Sequence, residues 1–574
     1  MKAAAALLCL FVLAPTPVVG QSSQQHPLEL AQLVKDFRQW RSETASSTVD
    51  YGARVADRKK GLVNFRQRLE ALPVDTWSPH VKVDSLVLRS EMDELDFDLR
   101  IIRQESRNPD FYVTEAARAV SRHIGGRYQS GPGVPVPYNA ERAAAIVEGL
   151  KATPSIVGQA PTLLTEPVGE MADVAIERLD GIQQSYRALA KLVAPHLPEP
   201  YRTQIGPAAE EAGAAMQKYR QWLQANRAVM KAPLAIGQKP FEWYVRNVMM
   251  MPYDSEQLLT QAEMERLRGW AFLALERQKN RHLPELKPAA DNHEYSEWKD
   301  ATDVLSRLWA EEHELFTRPD DVGPMRDREG GVWIEPFGMM AFPDEPIPQG
   351  HKVEFLVEPD HWFSKIYWEV GHRLDPGTNH PHSDYPGHSF ERAVSQRTTC
   401  ELRRGHRSRG DAWTYYMEDV QLQLDYPFVR GPRVREWMYS LLIMRAERVH
   451  VAVKFAAGEM TPQQVTDHFM TTVPGMEPHV ATKHEVWRKY VDPAQVMTYQ
   501  VARTQIYKLL ADRQKQLGEK FDLKAFHDAL LATGQIPVSL ARYELTGLDD
   551  EVKLFLQREP LPQAGTQPRS EARR

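Results

Sequence analysis

Cysteine is nearly absent from this chain, which has two in 574 residues. Cys9 lies within the first twenty residues, which we expect to be removed, and the mature protein then keeps only Cys400. A single cysteine cannot form an internal disulfide, so a chain of this length must be stabilised by burial of apolar surface. The sequence therefore predicts a large hydrophobic core.

Long apolar runs and an excess of charge of one sign are also missing. No window after the N-terminus approaches the ~20 apolar residues that a membrane-spanning helix requires, so we predict no transmembrane segment. The formal net charge is −6, with 71 basic and 77 acidic residues interspersed and a pI near 6.4. This balance argues against nucleic acid or an anionic membrane as the main partner.

Several catalytic motifs are absent as well. The chain has no Gly-x-Ser-x-Gly elbow and no phosphate-binding glycine loop, and Cys400 stands in no evident catalytic context. These absences argue against a serine or cysteine hydrolase.

The N-terminus has the order of a secretory signal. Lys2 is followed by an apolar run from Ala3 to Leu13 and then by Val18, Val19 and Gly20. A charged start, an apolar centre too short to span a bilayer and a small-residue end are typical of a signal peptide, with cleavage after Gly20. We predict an exported protein, either periplasmic or extracellular.

Helical periodicity dominates the rest of the chain. Five apolar residues recur at steps of three and four, which predicts one buried helix face: Leu179, Ile182, Tyr186, Leu189 and Val193. Helix starts are predicted at Asp254 and Thr461, each with a Gln three residues later as in a capping box. Alternation at Val353, Phe355 and Val357 favours a short strand.

The predicted fold class is mainly α, with a small β-ribbon before a polar site. We divide the chain into a signal peptide (1–20), an N-terminal helical region (21–240), a helical region with the ribbon and the site (241–559) and a disordered tail (560–574). No long Ser/Gly or Pro-rich linker separates the two helical regions, so we expect them to form one continuous unit.

Two polar segments concentrate groups that bind metals. Residues 380–388 read His-Pro-His-Ser-Asp-Tyr-Pro-Gly-His, and imidazole and carboxylate groups are ligands of zinc and similar ions. Further on, Asp411, Tyr415 and Glu418 are spaced to share one helix face. The His-Glu-x-x-His pattern is absent, so an ordinary polar loop and a solvated helix face are the alternative interpretations.

At these segments the chain resembles the bacterial domain of unknown function 885 proteins, which are grouped with the zincin-like metallopeptidases. That family shows His-Glu-x-Tyr-Pro-Gly-His, which corresponds to residues 382–388, and Glu-Gly-Trp-Ala-x-Tyr-x-Glu, which corresponds to residues 411–418. Its closing segments resemble residues 485–488, 493–499 and 526–537. The resemblance implies a large zincin-like helical fold.

The same resemblance implies an exported, peptidase-like hydrolase in which a metal activates water to attack a peptide or amide substrate. It implies Zn²⁺ as the cofactor, with four candidate metal ligands: His382, His388, Asp411 and Glu418. Tyr499, in one of the closing segments, is a candidate catalytic residue.

The chain departs from the family at the catalytic base. Ser383 stands where the family has Glu, and a hydroxyl cannot take a proton near neutral pH as a carboxylate can. Asp384 and Glu391 are candidates to replace it, and His372 and His380 are further candidates for a rebuilt site. Loss of the base favours the alternative function, a non-catalytic zincin-like protein that binds peptides or envelope components.

Overall fold

The computed structural model describes residues 27–46, 50–130, 133–348, 351–476 and 492–563. Helices make up 67% of the structure and strands 4%, which confirms the mainly α fold class. The predicted signal peptide, the segment 485–488 and residues 564–574 of the predicted tail lie outside the described residues.

The α-helices of the first half are α1 (Leu28–Ser46), α2 (Tyr51–Glu70), α3 (Pro79–Phe97), α4 (Gln104–Arg107), α5 (Pro109–Ser121), α6 (Ala140–Gly158), α7 (Ala160–Leu163), α8 (Gly169–Arg178), α9 (Ile182–Val193), α10 (Tyr201–Asn226), α11 (Gln238–Asn247), α12 (Ser255–Lys279) and α13 (Asn292–Glu312). Those that follow are α14 (Tyr367–Leu374), α15 (His380–Ser383), α16 (His388–Ser395), α17 (Ala412–Gln423), α18 (Val434–Ala456), α19 (Pro462–Thr472), α20 (Gln500–Leu517), α21 (Leu523–Ala532), α22 (Val538–Thr546) and α23 (Asp550–Leu556).

Local signals set several helix boundaries. Both predicted capping boxes are present, at the starts of α12 and α19, with Asp254 and Thr461 as the N-caps. The predicted apolar stripe from Leu179 to Val193 is buried, but it does not belong to one helix. Leu179 lies after the end of α8, and Gly181 has a φ of 64°, a left-handed conformation that interrupts the helix before Ile182.

Five short strands form two small sheets: β1 (Tyr128–Ser130), β2 (Met325–Arg328), β3 (Val332–Ile334), β4 (Gly338–Met340) and β5 (Lys352–Phe355). In the larger sheet β5 is central, antiparallel to β1 with Val353 opposite Gln129 and parallel to β2 with Val353 opposite Arg326. The other sheet is the β3/β4 antiparallel pair. The predicted strand is thus confirmed, although it ends before Val357.

The largest hydrophobic core contains residues from both sides of position 240, from Leu30 to Leu561. It also lies directly beneath the polar segments. Phe316 packs on Phe390 and Trp413, with ring centroids 4.6 Å and 6.0 Å apart. Within the described residues, no helix combines the length and the hydropathy needed to cross a membrane.

Candidate metal centre

The His-rich segment folds as two short helices joined by a tight turn. His382 lies in α15 and His388 begins α16, and their rings are 4.9 Å apart and nearly perpendicular. A Cβ at Gly387 would lie 1.8 Å from the carbonyl oxygen of His382, so only glycine fits this turn. The Trp413 indole donates a hydrogen bond of 2.7 Å to the Pro386 carbonyl, which ties the turn to α17.

The two histidines meet Asp411, which lies at the N-cap position of α17. Asp411 Oδ1 is 3.2 Å from His388 Nε2 and 3.6 Å from His382 Nε2. The three ligand atoms all lie within 4.8 Å of one another. The structure therefore brings together three of the four predicted metal ligands.

The remaining oxygen of Asp411 is held from another direction. Thr498 Oγ1 donates a hydrogen bond of 2.6 Å to Asp411 Oδ2, and Gln495 Nε2 lies 3.3 Å from the same oxygen. These contacts fix the carboxylate and leave Oδ1 directed at the two imidazoles. Nothing in the sequence around Thr498 points to its role as a partner of Asp411.

Glu418 lies behind His382 rather than beside Asp411. Its Oε1 is 2.7 Å from His382 Nδ1, and its other oxygen pairs with Arg445. A carboxylate on Nδ1 fixes the orientation and tautomer of an imidazole whose Nε2 faces a metal. In this position Glu418 orients the predicted ligand His382, and its own role as a ligand remains a prediction.

The charges of the cluster shift the pKa values of Asp411 and His382. Burial acts to raise the pKa of Asp411, but the hydrogen bonds and charges of His382 and His388 hold that pKa well below its usual value. Burial acts to lower the pKa of His382, and the bonds to Asp411 and Glu418 raise it above the usual value. The cluster thus keeps a buried carboxylate ionised between two imidazoles.

This arrangement fits a divalent metal. Four ligands at zinc–ligand distances of ~2.1 Å form a tetrahedron with edges of about 3.4 Å, close to the separations from Asp411 Oδ1 to the two Nε2 atoms. Two imidazoles and one carboxylate are also a donor set that zinc accepts, with the fourth position left for water or substrate.

The cluster forms part of the wall of a cavity of about 210 Å³. The cavity is also lined by Tyr499, whose ring stacks at 6.3 Å on His382, and by Arg445 and Arg448 from α18. Arg445 lies 4.6 Å over the ring of Tyr415, the middle residue of the predicted polar face of α17. The predicted residue Tyr499 is therefore placed where a ligand in the cavity would meet it.

The two candidate replacement bases point elsewhere. Asp384 Oδ2 accepts a hydrogen bond of 3.0 Å from the Met325 amide, and Glu391 accepts one of 2.7 Å from Arg409 Nε and one of 3.0 Å from Gln535 Nε2. Both residues are 2% exposed, and neither lines the cavity. The structure does not bring them to the predicted metal ligands.

Asp384 belongs instead to a second buried cluster, with His380 and Asp303. His380 Nε2 is 3.2 Å from Asp303 Oδ1 and 3.8 Å from Asp384 Oδ2. Arg307 donates to both oxygens of Asp303, at 3.0 Å and 3.1 Å, and so neutralises it. Because Arg307 already supplies a positive charge here, this cluster is less suited to a metal than the cluster of His382, His388 and Asp411.

The cavity contains groups that the sequence did not connect. Arg127, which precedes β1, pairs with Glu369 in α14, and both line the cavity with His372. Arg127 lies more than two hundred residues before its partner, and its position in the sequence carries no motif. His372 was recognisable only as a histidine near the polar segment.

The chain matches one family model over most of its length. The family described as "Bacterial protein of unknown function (DUF885)" matches residues 44–545, and the chain belongs to that family. Comparison with curated proteins gave no match.

Two solved structures share the fold. One is a "putative lipoprotein of unknown function" from Shewanella oneidensis, with a TM-score of 0.68 and 14% identity over 90% of this chain and 98% of that one. The other is a "putative lipoprotein" from Colwellia psychrerythraea, with a TM-score of 0.64 and 14% identity over 91% of this chain and 97% of that one. At this identity the likeness concerns the fold alone.

Proposed function

We propose that the protein is an exported, zincin-like, metal-dependent hydrolase that acts on peptide or related amide bonds. The observation that carries this proposal is the convergence of His382, His388 and Asp411 on one point of a cavity wall. The predicted signal peptide supports export, and so does the description of each solved neighbour as a "putative lipoprotein".

The residues of the site have different roles. His382, His388 and Asp411 would hold a divalent ion such as Zn²⁺, which would polarise the substrate carbonyl and activate water. Glu418 fixes the ring of His382, and Thr498 fixes the carboxylate of Asp411. The Tyr499 ring lies against His382 and would contact a substrate in the cavity.

A second candidate function is a non-catalytic protein that binds peptides or envelope components in the same cavity. Ser383 favours it, because its hydroxyl donates a hydrogen bond of 2.8 Å to Asn379 Oδ1 and provides no base. The buried contacts of Asp384 and Glu391 favour it too. The two candidates differ in whether a bound metal is accompanied by cleavage.

Elemental analysis of the mature protein, purified without chelator, tests the metal centre. We expect one divalent ion per chain in the wild type and in the control His293→Ala, a surface histidine of α13 that is 79% exposed. We expect the ion to be lost in His388→Ala. A wild type without stoichiometric metal would overturn the proposal.

Cleavage of a peptide library then separates the two functions. Turnover by the metal-loaded wild type, lost in His388→Ala, supports the hydrolase. Bound metal without turnover supports the binding protein. Asp384→Asn and Glu391→Gln complete the series, because a specific loss of turnover in either folded variant would restore that carboxylate as the base.

A further inference from the structure

Helix α14 brings a second pair of catalytic side-chain types to the cavity. Glu369 and His372 are one helical turn apart, are 7% and 5% exposed, and line the cavity together with His382, His388 and Asp411. His372 Nδ1 lies 3.4 Å from Glu369 Oε2. The pair therefore shares a small space with the proposed metal ligands.

The orientation of His372 leaves one nitrogen for the cavity. Nδ1 is buried on the side of Glu369, whose Oε2 lies 3.4 Å away, and within the described residues it makes no hydrogen bond of ordinary geometry. Among the described residues, none donates to or accepts from Nε2. A ring that lines the cavity and turns Nδ1 to a carboxylate presents Nε2 to whatever the cavity holds.

Glu369 is itself held in place. Arg127 Nη1 lies 2.9 Å from Glu369 Oε1, so one carboxylate oxygen faces an arginine and the other faces His372. Burial acts to raise the pKa of Glu369, but Arg127 and His372 lower it to about 2, and the carboxylate stays ionised. Burial lowers the pKa of His372, with Glu369 acting in the opposite direction.

The charges around His372 come from several elements. Glu369 lies on its own helix, Arg127 precedes β1, and Glu354 lies in β5 and pairs with Arg127. Helix α18, which packs against α14, contributes Arg445 and Arg448 to the cavity wall. In this setting a neutral imidazole with an ionised carboxylate behind it is the expected state at neutral pH.

We propose that His372, oriented by Glu369, is the general base and acid of the hydrolysis and takes the role that Ser383 cannot fill. This inference rests on the proposed function. In the step, Nε2 accepts a proton from water as the water oxygen bonds to the substrate carbonyl carbon. The proton then passes from Nε2 to the leaving nitrogen as the carbon–nitrogen bond breaks, and the imidazole returns to its neutral form.

Kinetics of His372→Asn test the proposal. We expect unchanged metal content, little change in KM and a fall in kcat of about 10²- to 10⁴-fold, the usual contribution of a positioned general base. The matched control is His293→Asn, a histidine 3.8 Å from Glu297 on the surface of α13, which should keep wild-type kinetics.

Glu369→Gln tests the positioning role. Removing the negative charge behind His372 lowers the pKa of the imidazole, so the acidic limb of the kcat/KM profile should move to lower pH. A merely structural glutamate would change the amount of folded protein and leave that limb in place.

Nitrogen-15 NMR of the histidines in metal-free protein tests the role of His372 without an activity measurement. We expect His372 to carry its proton on Nδ1 at neutral pH, and we expect this tautomer to be lost from Glu369→Gln. A proton on Nε2 in the wild type would overturn the proposal, because a base needs its lone pair there.

The outcomes separate the two proposals. A wild type that binds metal and cleaves peptide, together with an equally active His372→Asn, overturns the base and leaves the hydrolase. Loss of metal from folded His372→Asn makes His372 a ligand and also overturns the base. A wild type without metal or without turnover overturns the hydrolase and the base together.

Discussion

Asp411 shows how its surroundings set the chemistry of one side chain. Its side chain is one methylene shorter than the Glu of the family motif, so its backbone must come closer to the two histidines that are the other predicted ligands. The structure provides this approach by placing Asp411 at the N-cap of α17, directly against the turn that holds His388. Thr498 then binds the other oxygen, so the short carboxylate has a single orientation.

Glu418→Gln tests whether the residue behind a ligand matters. The amide keeps an acceptor for His382 Nδ1 but loses the charge that favours imidazole binding to a cation, so we expect zinc affinity to fall by about 10- to 100-fold. Competition with a chromophoric chelator measures this fall. The surface variant Glu148→Gln serves as control. If Glu418→Gln keeps wild-type zinc affinity, the role of Glu418 is limited to its ion pair with Arg445.

At the scale of elements, α18 carries Arg445 and Arg448 to the cavity while its other face packs along α12. This packing needs a small residue at the contact. A Cβ at Gly269 of α12 would lie 2.6 Å from Ile443 Cγ1 and 2.9 Å from Leu442 Cδ2. The position of Arg445 and Arg448 in the cavity wall therefore depends on the absence of a side chain at Gly269 of the neighbouring helix α12.

Gly269→Ala should destabilise the protein although alanine is the better helix former. Overpacking costs about 1–3 kcal/mol, which exceeds the ~1 kcal/mol that alanine contributes within a helix. Gly158→Ala, at the exposed end of α6 with nothing within 4 Å of the new Cβ, should be neutral or slightly stabilising. Thermal unfolding of both variants measures the difference, and a higher Tm for Gly269→Ala would contradict the packing argument.

The sequence predicted those elements whose signals are local. The capping boxes at Asp254 and Thr461 specify helix starts through contacts within four residues, and both are present. The pairing of β5 with β1 depends on residues far apart in the chain, and no local pattern encodes it. The same holds for the site, where the family resemblance pointed to His382, His388 and Asp411 but not to Arg127 or Thr498.

The whole molecule buries histidines that link distant parts of the chain. His527 of α21 donates from Nδ1 to the Leu315 carbonyl at 2.8 Å and accepts from the Tyr416 hydroxyl at 2.8 Å. His406 likewise lies 2.7 Å from Ser90 Oγ in α3. Burial lowers the pKa of each of these two imidazoles to about 4. Each contact is made by the neutral ring. Protonation at low pH therefore affects contacts that join distant parts of the fold.

These two histidines predict how stability changes with pH. Below the ordinary pKa of 6.5 the unfolded chain takes up a proton at each of them, while the folded chain stays neutral until pH about 4. Between these two pH values unfolding is coupled to proton uptake. Each histidine should therefore lower the free energy of unfolding by about 1.4 kcal/mol for each unit by which the pH falls. Urea unfolding at pH 7, 6 and 5 measures this slope. His527→Gln removes one titrating group and should reduce the slope by that amount, whereas the exposed His293→Gln should leave it unchanged. An identical slope in His527→Gln and the wild type would show that His527 does not hold its neutral form in the folded protein.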